Sequence, residues 1–408
     1  MPRLLLFIES NTSGTGRLFA QTARALGFEP VLISRQPSRY PYVAEDAVRS
    51  IEANTADLAV LRSLVRQLVL SEGVAGITSS SEYFIATAAR LAAELGLPGP
   101  DADAVAACRN KATQRRRLDE AGIDRVRHAE VTDAADAVQA AIGIGLPVVL
   151  KPVAGSGSVG VRLCATMADV AAHARALLTD PTCGALLVEE VIRGDEYSVE
   201  IFHDTVIGVT RKHLGALPHF VEMGHDFPAP LASTAADRIA GFALAATRAL
   251  GLTWGPLHVE LRLGEDGPHL MEVNPRLAGG FIPELVRQAT GIDLIRATVE
   301  LAVGRMPVVT PIRQEHAAIR FLTPPDDGLW FATEGLEAAR GAPFLRDLRL
   351  YRASPLLIAR RGDFQDRLGH ALTSAPTLEA AVAAAELARC AIRFRVAADG
   401  TGTLATVA

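Results

Sequence analysis

Two acidic residues on facing strands carry the sharpest chemical signal in this sequence. Leu257–Leu263 and His269–Val273 are apolar-rich runs separated by the turn Gly264–Gly267, the pattern of a β-hairpin. Side chains alternate along a strand, so His258, Glu260 and Arg262 share one face and Val259, Leu261 and Leu263 the other. The same rule groups Leu270, Glu272 and Asn274 on the return strand, with Met271 and Val273 opposite. A tight turn then sets Glu260 and Glu272 at nearly paired positions, where like charges repel unless a cation lies between them. With Asn274 they form a hard oxygen donor set without His or Cys, which favours Mg²⁺ shared with substrate phosphates. Arg276, two residues beyond Asn274, is placed to meet the anion such a metal would hold. The plain alternative is a surface ladder with exposed acids.

A second constellation lies upstream. Lys151 ends the apolar strand Pro147–Leu150 and precedes Gly155-Ser156-Gly157-Ser158-Val159-Gly160. Small residues let backbone N–H groups approach phosphate oxygens, and a lysine adds a point charge. The lysine precedes the glycines, so this is not the G-x-x-x-x-G-K-[ST] loop, and alone it also reads as a simple turn. Glu189-Glu190-Val191-Ile192-Arg193-Gly194-Asp195-Glu196 joins the strands Ala185–Glu190 and Tyr197–Phe202. Such a connection can offer backbone groups to an adenine edge, with Glu196 accepting from a ribose; a solvated acidic turn is the alternative. A third turn, Gly14-Thr15-Gly16, follows a strand, but Phe19 stands where a dinucleotide fingerprint needs its last glycine. The second strand ends Ser34-Arg35, without an acid for a ribose diol, although that arginine suits a 2′-phosphate.

These residues need elements to hold them. Leu4–Ile8, Pro30–Ser34 and Val74–Thr78 read as strands alternating with helices to about Leu26, over Asp57–Leu70 and over Phe84–Leu95, which predicts a parallel sheet covered on both faces. Leu97-Pro98-Gly99-Pro100 is a stiff break, giving a first α/β domain over 1–100. One helix is predicted over about 102–121, another near 134–143 and another near 168–178. From about Met306 the pattern turns to short strands with arginines, then an Ala-rich helix over Leu378–Ala391 and a last strand, Ile392–Val396. The expected domains are therefore 1–100, 101–305 with a mobile glycine-loop subdomain at about 125–200, and a C-terminal α+β subdomain over 306–408.

Composition narrows the class. The chain has 408 residues, 49% hydrophobic and 21% charged, as an ordered globular protein does, and 41 basic against 46 acidic residues give −5. That balance excludes a general nucleic-acid binder. No apolar run approaches the ~20 residues of a membrane span, and Leu4–Ile8 is too short for a signal-peptide core. Four cysteines without a C-x-x-C pair indicate neither a zinc knuckle nor a disulfide framework, so a reducing cytoplasm is expected.

In order, these pieces resemble the ATP-grasp ligases over nearly the whole chain. The resemblance is carried by Asn110-Lys111, Val149-Leu150-Lys151-Pro152 with its glycine loop, Glu189-Glu190 through Glu200, His258-Val259-Glu260, and Met271 to Arg276. It implies an ATP-grasp fold, α/β and α+β, with an N-terminal parallel α/β domain preceding the ATP-grasp domain and a C-terminal lid-like subdomain. Lys111 and Lys151 would contact ATP phosphates or the adenine region, and Ser156, Gly157, Ser158, Val159 and Gly160 would close over the triphosphate. Glu189, Glu190 and the backbone to Ile192 would line the adenine, with Glu196 on the ribose. Lys212, within Arg211-Lys212-His213, would face the triphosphate or be solvated charge. Glu260, Glu272 and Asn274 would hold one or two Mg²⁺, with Mn²⁺ as an alternative, and Arg276 would steady the phosphoryl group and the acyl intermediate.

Within that superfamily, Thr78-Ser79-Ser80-Ser81-Glu82, Glu222-Met223-Gly224-His225 and Asn274-Pro275-Arg276-Leu277-Ala278-Gly279-Gly280 are most similar to L-amino-acid (dipeptide) ligases and their natural-product relatives. Glu82 would then hold an amino group, His225 and Arg276 a carboxylate, and Gly279, Gly280 and Phe281 the side-chain pocket. The implied activity is amide formation between a carboxylate and an amine through an acyl phosphate, releasing ADP. A homodimer is suggested by the same resemblance. A purine-biosynthesis-type ligase, with Arg313, Arg320 and Arg352 as phosphate contacts, is the second reading, and a regulator that binds nucleotide without turnover is the third.

Overall fold

The computed structural model describes residues 2–12 and 15–398; Gly14 of the first glycine turn lies outside them. The chain opens with β1 (Leu4–Ile8), β2 (Glu29–Ser34), β3 (Arg49–Glu52) and β4 (Val74–Thr78), a parallel sheet in the order β3-β2-β1-β4. Every residue of β1 is buried because helices cover both faces. β3, Arg-Ser-Ile-Glu, escapes an apolar-run reading because an edge strand keeps polar residues at no cost. The order reverses between β1 and β4, so their carboxyl ends open a crevice, the usual ligand position in such sheets.

The stretch expected as one helix is two, Ala102–Cys108 and Lys111–Glu120. Asn110 makes the break: its side chain accepts a hydrogen bond from the Thr113 N–H at 2.8 Å and starts the second helix afresh. Next come β5 (His128–Val131), β6 (Val148–Pro152), β7 (Arg162–Cys164) and β8 (Leu186–Glu190), an antiparallel sheet in the order β5-β8-β6-β7. The helices Ala134–Ile144 and Met167–Leu178 bury its apolar face.

The remaining strands are β9 (Asp195–Phe202), β10 (Thr205–Leu214), β11 (Glu222–Phe227), β12 (Pro256–Leu263), β13 (Pro268–Asn274), β14 (His316–Leu322), β15 (Gly328–Glu334), β16 (Leu345–Leu350), β17 (Leu356–Ile358), β18 (Gly369–Ala375) and β19 (Arg393–Ala397). Eight form one sheet, β13-β12-β9-β10-β11-β14-β18-β16, and three form a smaller one, β17-β15-β19. The eight-stranded sheet runs through the position expected as a boundary near 306, because β14, β18 and β16 extend it. Helix Ser233–Ala249 packs on β9, β12 and β13 through Ile239, Ala243 and Ala246, and leaves the opposite face of those strands to charged residues. Helix Leu294–Ala302 returns to the first sheet, where Val299 and Ala302 join Leu5, Phe7 and Leu32. The approach is close enough that a Cβ at Gly76 would run into the Ala302 carbonyl.

Candidate active site

β12 and β13 pair His258 with Asn274 and Glu260 with Glu272, so the two acids stand side by side on adjacent strands. One face assignment changes. A bulge next to that pair sets Leu261 opposite Leu270 and leaves Met271 without a partner. Leu270 therefore turns into the core with Val273, and Met271 joins Glu272 and Asn274 along the cleft. Strict alternation, which put Leu270 beside Glu272, does not survive the inserted residue.

The charged face continues onto the neighbouring strands. Lys212 on β10 stands opposite Glu196 on β9, and its Nζ lies 2.6 Å from Glu222, 3.0 Å from Glu260 and 3.2 Å from Glu196. Oxygens of these three acids lie within 4.8 Å of one another, a spacing that suits a divalent ion, but the lysine ammonium already fills the centre. Burial opposes charge on Lys212, Glu222 and Glu260. The acids outweigh it and hold Lys212 well above its ordinary pKa, and Lys212 holds Glu222 and Glu260 well below theirs. The other oxygen of Glu260 meets His258 Nε2 at 2.9 Å, and His258 Nδ1 meets Glu200 at 2.9 Å. Burial would neutralise this histidine, yet Glu200 and Glu260 raise it to about 9, so a cation orients Glu260 from behind.

Two further lysines come from other elements. The break at Asn110 puts Lys111 in a first helical turn, where its Nζ lies 2.9 Å from Glu272 and donates to the Gly155 carbonyl at 2.8 Å. Lys111 thus touches both the hairpin and the glycine loop. Lys151 Nζ, at the end of β6, lies 2.5 Å from Glu189 Oε1. Glu189 Oε2 accepts from Arg115 Nε at 3.0 Å and from a second guanidinium nitrogen at 2.9 Å. Burial favours the neutral acid, but Arg115 and Lys151 hold Glu189 at about 2. Expected along an adenine, Glu189 does line the cleft, with its carboxylate engaged by two cations. Glu190 accepts from the Arg127 backbone N–H at 2.7 Å, the Ile192 carbonyl accepts from Arg262 at 2.9 Å, and Glu196 accepts from Arg262 Nε at 3.0 Å.

The glycine loop is a run of left-handed residues, with φ of +66° at Gly157, +62° at Ser158 and +72° at Gly160. Its tip rests on distant chain. A Cβ at Gly157 would lie 2.5 Å from the Phe364 ring, and Ser158 Oγ donates to the Phe220 carbonyl at 3.0 Å. Ser156 and Val159 also face the cleft.

Elsewhere in the cleft, Glu82 and Arg276 pair with each other, Nε to Oε2 at 3.0 Å, and Glu82 Oε1 accepts from Arg109 at 2.9 Å. Gly279, Gly280 and Phe281 line the cleft, and the Phe281 ring stacks on Tyr351 with centroids 6.2 Å apart and planes 7° from parallel. His225 is a correction. Its ring is fully buried, makes no hydrogen bond among the described residues, lies 3.5 Å from Glu222 and does not line the cleft. Burial lowers it to about 3, so it presents no positive charge to a substrate carboxylate. It lies under Gly280, whose φ is +59° and where a Cβ would be 2.6 Å from His225 Nε2. Among the arginines expected for a purine-type phosphate, Arg320 is buried against Asp226 at 2.7 Å and Glu386 at 2.6 Å, Arg313 does not line the cleft, and Arg352 does.

Asp124 braces the hairpin from outside. Its Oδ2 accepts from the Leu270 N–H at 2.8 Å, and its Oδ1 meets His269 Nδ1 at 2.8 Å. That hydrogen bond is the main reason His269 is raised to about 9. Folding then favours the protonated ring, so its stabilisation is full below the unfolded value of ~6.5 and is lost as pH rises through about 9. Melting temperatures are expected to fall from neutral to mildly alkaline pH, with a shallower slope in His269→Asn. Parallel slopes would assign the loss to other groups.

The cleft holding these groups encloses about 2030 Å³, beyond the ~300–1,000 Å³ of a site for one small ligand. Three family descriptions match the chain in succession: an ATP-grasp N-terminal domain over residues 20–99, an ATP-grasp domain over 144–284, and an L-amino acid ligase C-terminal domain 2 over 320–397. The chain belongs to the ATP-grasp ligases. It is 37% identical over 385 residues to the uncharacterized protein y4rH of Sinorhizobium fredii, covering 93% of this chain and 80% of that one. Against carnosine synthase 1 of Gallus gallus it is 31% identical over 251 residues, 56% of this chain but only 26% of the much longer synthase. In fold it resembles an L-amino acid ligase from Bacillus licheniformis, with a TM-score of 0.81 at 22% identity over 97% of this chain and 99% of the other. Among the described residues of this ATP-grasp ligase, no helix is long and apolar enough to cross a membrane.

Three residues of the site carry no assigned role in the sequence reading. Arg115 follows Lys111 by four positions, one helical turn, and that spacing was its available signal. Glu222 holds Lys212 but stands in a run without regular alternation. Arg367 donates to Glu222 at 2.7 Å across 145 positions, a distance in sequence that no local pattern bridges.

Proposed function

We propose that this protein is an ATP-dependent carboxylate–amine ligase that forms an amide or peptide bond through an acyl phosphate, with an amino acid as one substrate. The observation that carries the reading is Lys111, which touches the glycine loop and Glu272 at once. That contact joins the glycine loop to the paired carboxylates, which supports reading the loop as a phosphate cradle. A substrate carboxylate oxygen attacks the γ-phosphorus of ATP, the bond to ADP breaks, and an acyl phosphate forms. Lys111 and Lys151 donate to phosphate oxygens during transfer, and Arg276 donates to the moving phosphoryl group and the acyl oxygen. The amine then attacks the acyl carbon and phosphate leaves, while the glycine loop, backed by Phe364, keeps water from the intermediate. Glu260, Glu272 and Asn274 fit a hard divalent ion, being oxygen donors at registered positions on adjacent strands in the cleft. Mg²⁺ there would neutralise charge on the phosphate oxygens. Gly279–Phe281, with Tyr351 behind Phe281, would receive an apolar substrate side chain.

The deciding experiment is mass spectrometry of a reaction containing Mg²⁺-ATP and a mixed pool of amino acids and small carboxylic acids. ADP with a new amide mass supports the proposal and names both substrates; AMP with pyrophosphate overturns it. In the same assay Lys151→Ala is expected to raise the KM for ATP roughly 10- to 100-fold, the worth of one charge-assisted contact.

A further inference from the structure

We infer that Arg115 is a positioning residue that shares the Glu189 carboxylate with Lys151, and thereby leaves the Lys151 ammonium free to turn to an incoming phosphate. The inference rests on Lys151 as an ATP contact. Arg115 does not line the cleft, so it acts only through its neighbours. Its Nε and one terminal nitrogen donate to Glu189 Oε2, while Lys151 meets Oε1 at 2.5 Å. One buried carboxylate thus faces two buried cations, leaving one positive charge that a phosphate would balance. Without Arg115, Lys151 and Glu189 would form a closed neutral pair, and a phosphate would have to compete with the whole carboxylate for the ammonium.

Arg115 is itself held from the far side. Its remaining nitrogen donates to the Leu270 carbonyl and lies 3.5 Å from Asp124, which is balanced by His269. Leu270 is two residues before Glu272. The guanidinium therefore links β8 of the glycine-loop sheet to the hairpin that bears the carboxylates. A planar fork with several donors can serve acceptors on two elements at once, which a single ammonium cannot do as well.

The test compares Arg115→Met, Arg115→Lys, Glu189→Gln, the double variant Arg115→Met/Glu189→Gln, and Lys151→Ala, by ADP release against ATP concentration and by thermal melting. Arg115→Met is expected to raise the KM for ATP roughly 10-fold or more with a smaller change in kcat. The double variant is expected to have a clearly lower KM for ATP than Arg115→Met, because no carboxylate remains to hold Lys151. Arg115→Lys, which keeps the charge but not the fork, is expected to lie between the parent and Arg115→Met and serves if the methionine variant does not fold. A double variant no better than Arg115→Met, or a lysine variant as poor as methionine, overturns charge sharing and leaves Arg115 as packing. An unchanged KM in Lys151→Ala instead overturns the ATP reading on which the inference rests.

Discussion

Glu272→Ala is expected to lose ADP formation by roughly 10²–10³-fold or more while melting close to the parent protein. The reason is local. Glu272 points into the cleft, away from the core that Leu270 and Val273 share with helix Ser233–Ala249, so its loss removes no packing. It does remove one of two carboxylates in register, and it releases Lys111, whose Nζ lies 2.9 Å away. Glu272→Gln separates the two effects, since its amide oxygen still accepts from Lys111 but carries no charge. If Glu272 matters as a metal donor, Gln is nearly as inactive as Ala and excess Mg²⁺ partly restores it. If it matters only by holding Lys111, Gln is close to the parent. Normal turnover in Glu272→Ala would remove the hairpin acids from the reaction.

Lys212→Met is expected to give the largest change in stability. The substitution keeps the buried stem and deletes the one cation that touches Glu196, Glu222 and Glu260. Breaking a buried ion cluster from one side costs about 3–5 kcal/mol, which in a chain of this size lowers the melting temperature by roughly 4–6 °C. The loss of stability towards acid pH should also weaken. In the parent, Glu222 and Glu260 are depressed, so their stabilisation is present above the unfolded value of ~4.5 and disappears as pH falls through the lower folded values. In the variant, Glu222 keeps Arg367 and Glu260 keeps His258, but both lose their principal cation, so their folded values rise towards the unfolded one and less stability is lost as pH falls. Millimolar Mg²⁺ should raise the variant's melting temperature more than the parent's, since the three acids have the spacing of a cation site. A variant that melts with the parent at neutral pH would show that the acids do not depend on this lysine.

The first sheet and the hairpin were legible because their residues obey short-range rules. β1, β2 and β4 are apolar runs between turn residues, and the Gly264–Gly267 turn brings Glu260 near Glu272, although counting from it sets Glu260 opposite Met271 and only the bulge puts Glu272 there. β10 was not legible. Its Arg211-Lys212-His213 reads as a triphosphate contact or as solvated charge, and only the acids on β9, β11 and β12 make burial of Lys212 favourable. The bulge at Met271 is likewise invisible to a rule of alternation. The pairing of Glu82 with Arg276 spans 194 positions, a separation that no local pattern bridges.

The return of helix Leu294–Ala302 to the first sheet has a consequence for the order in which the chain is made. β4, the last strand of that sheet, ends at Thr78, but part of the cover over Leu5, Phe7 and Leu32 is Val299 and Ala302. At a synthesis rate of ~5–20 residues per second, that cover leaves the ribosome roughly 10–45 s after the strands do. During this interval the nascent sheet carries an apolar face without its final partner, a surface suited to a chaperone or to premature self-association. Shortening the chain from its C-terminal end should therefore have a threshold. Pieces ending before 294 are expected to aggregate even though their own strands are complete, whereas the first sheet closes only once residue 302 is present.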